Sequence, residues 1–299
     1  MFKRKILDEN GKVIKKKGLK IGIAFGGGGA RGIGHIGVLK ALEELGIQAD
    51  YVAGTSAGSM VGALYCAGYN YKQILDALKK LRAKDIKDSR LIWKPSNSEN
   101  IETTLKNIFQ KDLVFSELKI PLTIVAVDIK TGKEVDITSG SVSRASSGSC
   151  AVPGVFSPVV YNNMHLVDGG LHNNVPADVV RHMGADVVIA IDVNSGRGHG
   201  TDSLKLLDVL KSSLGIMMQA NVVKKLEYAD VVIKPSLGKY SSSKLDGIDE
   251  MVLEGYNATM AHKNELIRLA TSRPKRRIKT LWQKLRIARE KDASRRVNK

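Results

Sequence analysis

No apolar run in the chain approaches the ~18–20 residues that span a bilayer, so a transmembrane helix is not expected. The start, Met1-Phe2-Lys3-Arg4-Lys5-Ile6, has basic residues with no apolar stretch behind them, which argues against a secretory signal. Cysteine is scarce. Cys66 and Cys150 alone build neither a disulfide framework nor a metal-ligand spacing, and they read as buried thiols in a reducing cytosol. No internal repeat is visible, and nothing in the sequence calls for a metal or a cofactor.

Net charge is nearly missing from the middle of the chain. The 299 residues carry +17 overall, yet residues 21–272 hold 27 basic and 26 acidic residues. The excess sits at the ends: +6 over residues 1–20 and +10 over residues 273–299. A globule over 19–272 therefore follows a polar, basic arm at 1–18 and precedes a basic tail at 273–299. Cationic ends attract a membrane surface, nucleic acid or an acidic partner. On a helix, Ile278, Leu281, Trp282, Leu285 and Ala288 would share one face of the tail, with Lys and Arg around the rest. That is the pattern of an interfacial helix on anionic lipid, and it favours a membrane surface over nucleic acid.

What is present is a regular alternation of strands and helices. Leu19–Phe25, Tyr51–Gly54, Pro121–Val127, Met164–Val167, Asp186–Val193 and Asp230–Lys234 read as strands. Lys133–Thr138 pairs as a hairpin with the third of these. Helical spacing covers Arg31–Leu45, Ser59–Ala67, Tyr71–Leu81, Ile101–Phe109, Ala177–Met183, 202–227 and Asp249–Leu269. Residues 84–98 read as irregular, and 139–150 as a Ser/Gly-rich loop or loosely capped helix. The expected fold is α/β: three layers, a mainly parallel sheet with helices on both faces.

Three small-residue corners carry the chemistry. Gly54-Thr55-Ser56-Ala57-Gly58 lies where a strand gives way to a helix, the setting of a nucleophile elbow. Gly54 and Gly58 would let the chain turn sharply and leave the Ser56 hydroxyl exposed at the sheet edge. A small-residue packing turn would look the same. Asp168-Gly169-Gly170 follows another strand and offers Asp168 as a base, although Asp-Gly also makes ordinary turns. Gly26-Gly27-Gly28-Gly29-Ala30-Arg31-Gly32 presents bare amides at a helix N-terminus, a nest for an anion. Strand C-termini of a parallel sheet share one edge, so the three corners are expected to meet there.

Two other readings of these residues are open. A Ser-His-Asp triad needs a histidine. His35 falls inside a helix, His165 points away from Asp168 if 164–167 is a strand, and His172 lies in a capping loop. The spacing Gly27-x-Gly29-x-x-Gly32 also matches a dinucleotide-binding fingerprint. That fold wants an acid after the second strand, and the nearby Asp50 precedes it.

Together the corners resemble the patatin-like phospholipase family, in its bacterial branch, over about residues 20–270. Gly34-His35-Ile36-Gly37-Val38-Leu39, Ala126-Val127-Asp128 with Thr131-Gly132, Pro153-Gly154-Val155-Phe156 and Gly184-Ala185-Asp186 are similar too. The resemblance implies a Ser–Asp dyad without histidine, with Ser56 as nucleophile and Asp168 as base. It implies an oxyanion hole from Gly27, Gly28 and Gly29, a loop shaped by Arg31, and a structural role for Asp128. It implies hydrolysis of fatty acyl esters of phospholipids or lysophospholipids, with no metal, by a cytoplasmic protein peripheral to the membrane. A lipid-binding module without catalysis is the alternative on the same scaffold. One segment departs from the family: Ala145–Pro153 is richer in Ser and Gly than the usual compact Ala-Ser-x-x-Ile-Pro-Gly, and it is expected to border the acyl site.

Overall fold

The computed structural model describes residues 6–87, 99–196, 205–242 and 244–272. Its strands are β1 (Ile21–Phe25), β2 (Tyr51–Thr55), β3 (Leu122–Asp128), β4 (Lys133–Ile137), β5 (Val159–Tyr161), β6 (Met164–Asp168), β7 (Val187–Ile191) and β8 (Val231–Ile233). Its helices are α1 (Gly34–Glu44), α2 (Ala57–Ala67), α3 (Tyr71–Lys87), α4 (Glu99–Phe109), α5 (Val142–Ser149), α6 (Ala177–Met183), α7 (Leu206–Leu226), α8 (Ile248–Ala261) and α9 (Lys263–Ala270). One sheet runs β5-β6-β3-β2-β1-β7-β8, with β4 also paired to β3. The five strands β3, β2, β1, β7 and β8 are parallel. The pairs β3–β4, β3–β6 and β5–β6 are antiparallel.

The parallel strands are apolar on both faces because helices cover both, which turns alternation into continuous apolar runs. Residue size still alternates. Ile21, Ile23, Phe25, Ile189 and Ile191 pack into a large core with Ile36, Leu39 and Leu42 of α1 and Met251 of α8. Ala24, Ala53, Val188 and Ala190 pack into a smaller core with Val179 and Val180 of α6 and Val222 of α7. Small residues on that face let α6 lie close: a Cβ on Gly22 would stand 2.1 Å from Val180 Cγ1.

Register explains how two distant segments meet. β4 pairs with Ile124–Asp128 of β3, so it occupies one edge of that strand. The opposite edge is shared: β2 pairs through Thr55↔Val125, and β6 pairs from Ala126↔Asp168 onward. The strands β2 and β6 therefore run head to head along β3, and the residue after Thr55 meets the last residue of β6. Asp168 reaches the site because its strand is antiparallel and points back at β2. The sequence argument had placed all three corners at the C-termini of parallel strands, and for Asp168 this geometry replaces it.

Several local expectations change. Of the two readings of residues 139–150, the helix holds: α5 is buried and is firmly capped where Ser141 Oγ accepts the Arg144 amide. The single helix expected over 249–269 is two, because His262 leaves helical backbone at φ −95°, ψ 10° and lets Leu266 and Ala270 reach the core. The helix from Tyr71 continues to Lys87, and the rest of the segment read as irregular, 88–98, lies outside the described residues. The strand β5 went unread. It makes a hairpin with β6 through Asn162 and Asn163 at φ 45° and 64°, the left-handed conformation that asparagine tolerates. Within the arm, residues 6–18 sit on the globule: Val13 is buried, its amide donates to Leu45, and the Lys16 amide donates to Ala270. The tail at 273–299 lies outside the described residues.

Candidate active site

Ser56 is bent into a backbone conformation that side chains rarely adopt, φ 51° and ψ −128°, between the end of β2 and the start of α2. Such a residue persists only when its surroundings hold it there. Here both of its backbone groups are taken. The Ser56 amide donates to Ser149 Oγ at 2.8 Å, and Ser149 Oγ donates to the Val125 carbonyl at 2.6 Å. The Ser56 carbonyl accepts from the Ser59 hydroxyl at 2.6 Å and the Ser59 amide at 2.8 Å. The two flanking glycines act by close approach. A Cβ on Gly58 would stand 2.2 Å from the Phe25 carbonyl oxygen, and one on Gly54 would stand 2.6 Å from the Gly58 carbonyl oxygen.

The Ser56 side chain lies near enough to the Asp168 carboxylate to lower its pKa, which puts the two groups side by side. Asp168 is buried, and its Oδ1 also accepts the Gly170 amide at 2.8 Å. Burial pushes its pKa up to about 6, and the bond from Gly170 and the nearby Ser56 side chain only partly offset that. Such a carboxylate is ionised at neutral pH yet basic enough to accept a proton, the condition for a general base.

The glycine run lies beside this pair. Gly27 stands so close to Ser56 that a Cβ would come within 3.1 Å of the serine Cβ. Its amide is not free, because it donates to the Asn174 carbonyl at 2.9 Å. Among the described residues, nothing accepts from the amides of Gly28 and Gly29. Those two are the donors left for an anion. The Gly27 carbonyl is held by the side-chain amides of Asn194 at 2.8 Å and Asn174 at 3.3 Å. Since the peptide plane is rigid, holding that oxygen fixes the direction of the Gly28 N–H on its opposite side. Arg31 is buried and braces the arrangement: its Nε donates to the Tyr240 carbonyl at 2.8 Å and its Nη1 to Asn194 Oδ1 at 3.0 Å. The loop-shaping expected of Arg31 thus runs through Asn194.

His35 lies beneath the same loop. Its Nε2 is 2.8 Å from the Gly26 carbonyl, which can only accept, so Nε2 carries the proton. Burial lowers its pKa to about 4, which keeps the ring neutral. Among the described residues, no histidine ring bonds to Ser56 or Asp168. Asp50 sits at the opposite edge of the sheet, where it accepts the Ile21 amide and pairs with Lys15 and Lys20. An acid for a ribose is therefore missing where a dinucleotide would need it. Asp128 is a turn residue: it accepts the amides of His165 and Lys130 and the Thr131 hydroxyl. No group of His, Cys, Asp and Glu that could hold a metal ion occurs among the described residues.

Sequence reasoning missed Ser59, Ser149, Asn174 and Asn194. It expected the segment of Ser149 to border the site without assigning residues, and there α5 delivers both Ser149 and Cys150 to the elbow. Cys150 is buried against Ser56, Ser59 and Asp168, and burial with the Asp168 charge pushes its thiol up to about 12. It is a neutral packing group rather than a nucleophile.

A serine at a strained strand-to-helix corner, a buried carboxylate beside it and bare amides nearby thus come together on one α/β sheet. The family model described as Patatin-like phospholipase matches residues 23–181, more than half of the chain, and the chain belongs to that family. Patatin-like phospholipase domain-containing protein 7 of Rattus norvegicus is 36% identical over 192 residues, covering 60% of this chain and 14% of that protein. Neuropathy target esterase sws of Drosophila melanogaster is 30% identical over 274 residues, covering 80% of this chain and 19% of that protein. The chain thus spans a fifth or less of the length of these curated relatives. Among solved structures, VipD from Legionella pneumophila matches with a TM-score of 0.50 at 15% identity, over 87% of this chain and 69% of that one, a likeness of fold.

Proposed function

We propose that the chain is a serine acyl hydrolase that cleaves fatty acyl esters of phospholipids or lysophospholipids. The observation that carries this reading is Ser56, held at a strained strand-to-helix corner, beside a buried carboxylate whose pKa is raised to about 6. Ser56 Oγ attacks the acyl carbonyl as its proton passes to Asp168. The amides of Gly28 and Gly29 receive the negative oxygen of the tetrahedral intermediate; one such donor is typically worth about 3 kcal/mol. The intermediate collapses, and the leaving alcohol takes the proton from Asp168. Water then attacks the acyl-enzyme, Asp168 accepts its proton, and the fatty acid departs as Ser56 regains its hydrogen.

The basic tail at 273–299 fits this chemistry as a tether to anionic lipid, which would place the enzyme at the inner face of a cytoplasmic membrane. No helix among the described residues is long and apolar enough to cross one. A panel of phospholipids and lysophospholipids, given to the intact chain and to Ser56→Ala, tests the proposal. We expect fatty acid release from at least one lipid, lost in Ser56→Ala with the fold intact. Equal release by the variant would refute the assignment. Removing residues 273–299 should weaken flotation with anionic vesicles, and unchanged flotation would remove the tether.

A further inference from the structure

We propose that the outward side of the first half of α7 is a docking surface for an anionic lipid bilayer. Leu206, Val209, Leu210, Ile216 and Met217 are each between 40% and 74% exposed. At 3.6 residues per turn they fall within a sector of roughly 120°. The opposite side of the helix is apolar too, since Met218 lies against Gly170 and Val222 is in the core. An exposed cluster of large apolar side chains marks an interaction site.

Position ties the surface to the site. The second half of α7 is anchored: Asn221 Nδ2 donates to the Leu171 carbonyl at 3.0 Å, and Lys225 Nζ to Asp178 Oδ2 at 2.6 Å. From there α7 runs beside α6 toward the far edge of the sheet. Going the other way, Met218 is level with the Gly169–Leu171 turn that follows Asp168. Residues 206–217 form a stretch about 18 Å long that leads to the helix N-terminus from the level of that turn. No described side chain among those twelve residues is buried.

Charge selects the occupant. Lys205, at the N-cap of α7, and Lys224 on the helix are exposed. The segment 234–247 after β8 carries Lys234, Lys239 and Lys244 against one acid, Asp246. That segment adjoins the glycine run, where the Ala30 amide donates to the Ser242 carbonyl. Apolar side chains flanked by cations beside an acyl-ester site suit a leaflet with anionic headgroups. The surface would settle at the headgroup boundary, so that an acyl chain could reach Ser56 without crossing water. The choice of occupant rests on the proposed lipid substrate.

The test separates docking from catalysis. In a Ser56→Ala background, Met217→Cys is labelled with a polarity-sensitive dye; Cys66 and Cys150 are buried, so the label goes to position 217. Adding phosphatidylcholine–phosphatidylglycerol vesicles should shift the dye to the blue, and pure phosphatidylcholine should shift it less. The double variant Leu210→Glu/Met217→Glu should lose about tenfold or more in partitioning to those vesicles. With Ser56 intact, it should hydrolyse vesicle lipid more slowly and a soluble short-chain p-nitrophenyl ester at the normal rate. A dye already in apolar surroundings before vesicles are added would mean that a second copy or residues 273–299 cover the stripe, and would overturn the proposal. Unchanged partitioning of the double variant would overturn it as well. If Ser56 proved not to be the nucleophile, only the hydrolysis arms would fail.

Discussion

Replacing Asp168 by asparagine should make the protein more stable and inactive at once. The carboxylate is buried, and its pKa rises from an ordinary 3.8 to about 6. That shift of about two units corresponds to about 3 kcal/mol between the charged and neutral forms. The sign follows from proton uptake. Between pH 3.8 and 6 the folded protein holds a proton here that the unfolded chain has released, so stability falls as pH rises and levels off above about 6. Asparagine keeps an acceptor for the Gly170 amide and carries no charge to desolvate. Urea unfolding of both proteins at pH 4 and pH 8 measures the difference. Near pH 4 the two should be alike. At pH 8 the variant should be more stable by up to about 3 kcal/mol. Other titrating groups are common to both proteins and cancel. Equal stabilities at pH 8, or a less stable variant, would mean that burial does not strain this carboxylate, and the account of its basicity would fail with it.

His35 should show the opposite slope. Its folded pKa of about 4 lies below the usual 6.5, so stability is lost as pH falls from 6.5 to 4, by about 3 kcal/mol. His35→Gln should remove that acid loss in the same urea series, and an unchanged acid limb would show that the ring is not held neutral. Asn194→Ala should lower kcat by about tenfold with little change in KM, because it frees the Gly27 carbonyl and the Gly28 amide behind it. Asn194→Asp keeps the shape but cannot donate, so it should match the alanine variant; full kcat in either would refute the role given to Asn194.

The residues proposed to react were legible because their signals are local. Gly54 to Gly58 and Asp168 to Gly170 are short runs at the ends of apolar segments, and short runs survive in a single sequence. The glycine run was legible as a source of amides, but the commitment of Gly27's own amide to Asn174 was not. The supports were invisible for the same physical reason. Ser149, Asn174 and Asn194 act across separations of 93, 147 and 167 residues, and no periodicity encodes such contacts. The convergence of the 54–58 and 168–170 corners was expected at a parallel-sheet edge, whereas an antiparallel strand runs head-on into β2. The β5–β6 hairpin did leave a trace, since Asn162-Asn163 between two apolar stretches is a turn signal. The break at His262 left none, because the apolar spacing continues through it.

The most direct test of the dyad is covalent labelling with a fluorophosphonate, followed by peptide mass mapping across pH. The account predicts an adduct on Ser56, a labelling rate that rises with pH around a midpoint near 6, and near-complete loss of labelling in Asp168→Asn. An adduct on a different residue, or full-rate labelling of Asp168→Asn, would contradict it.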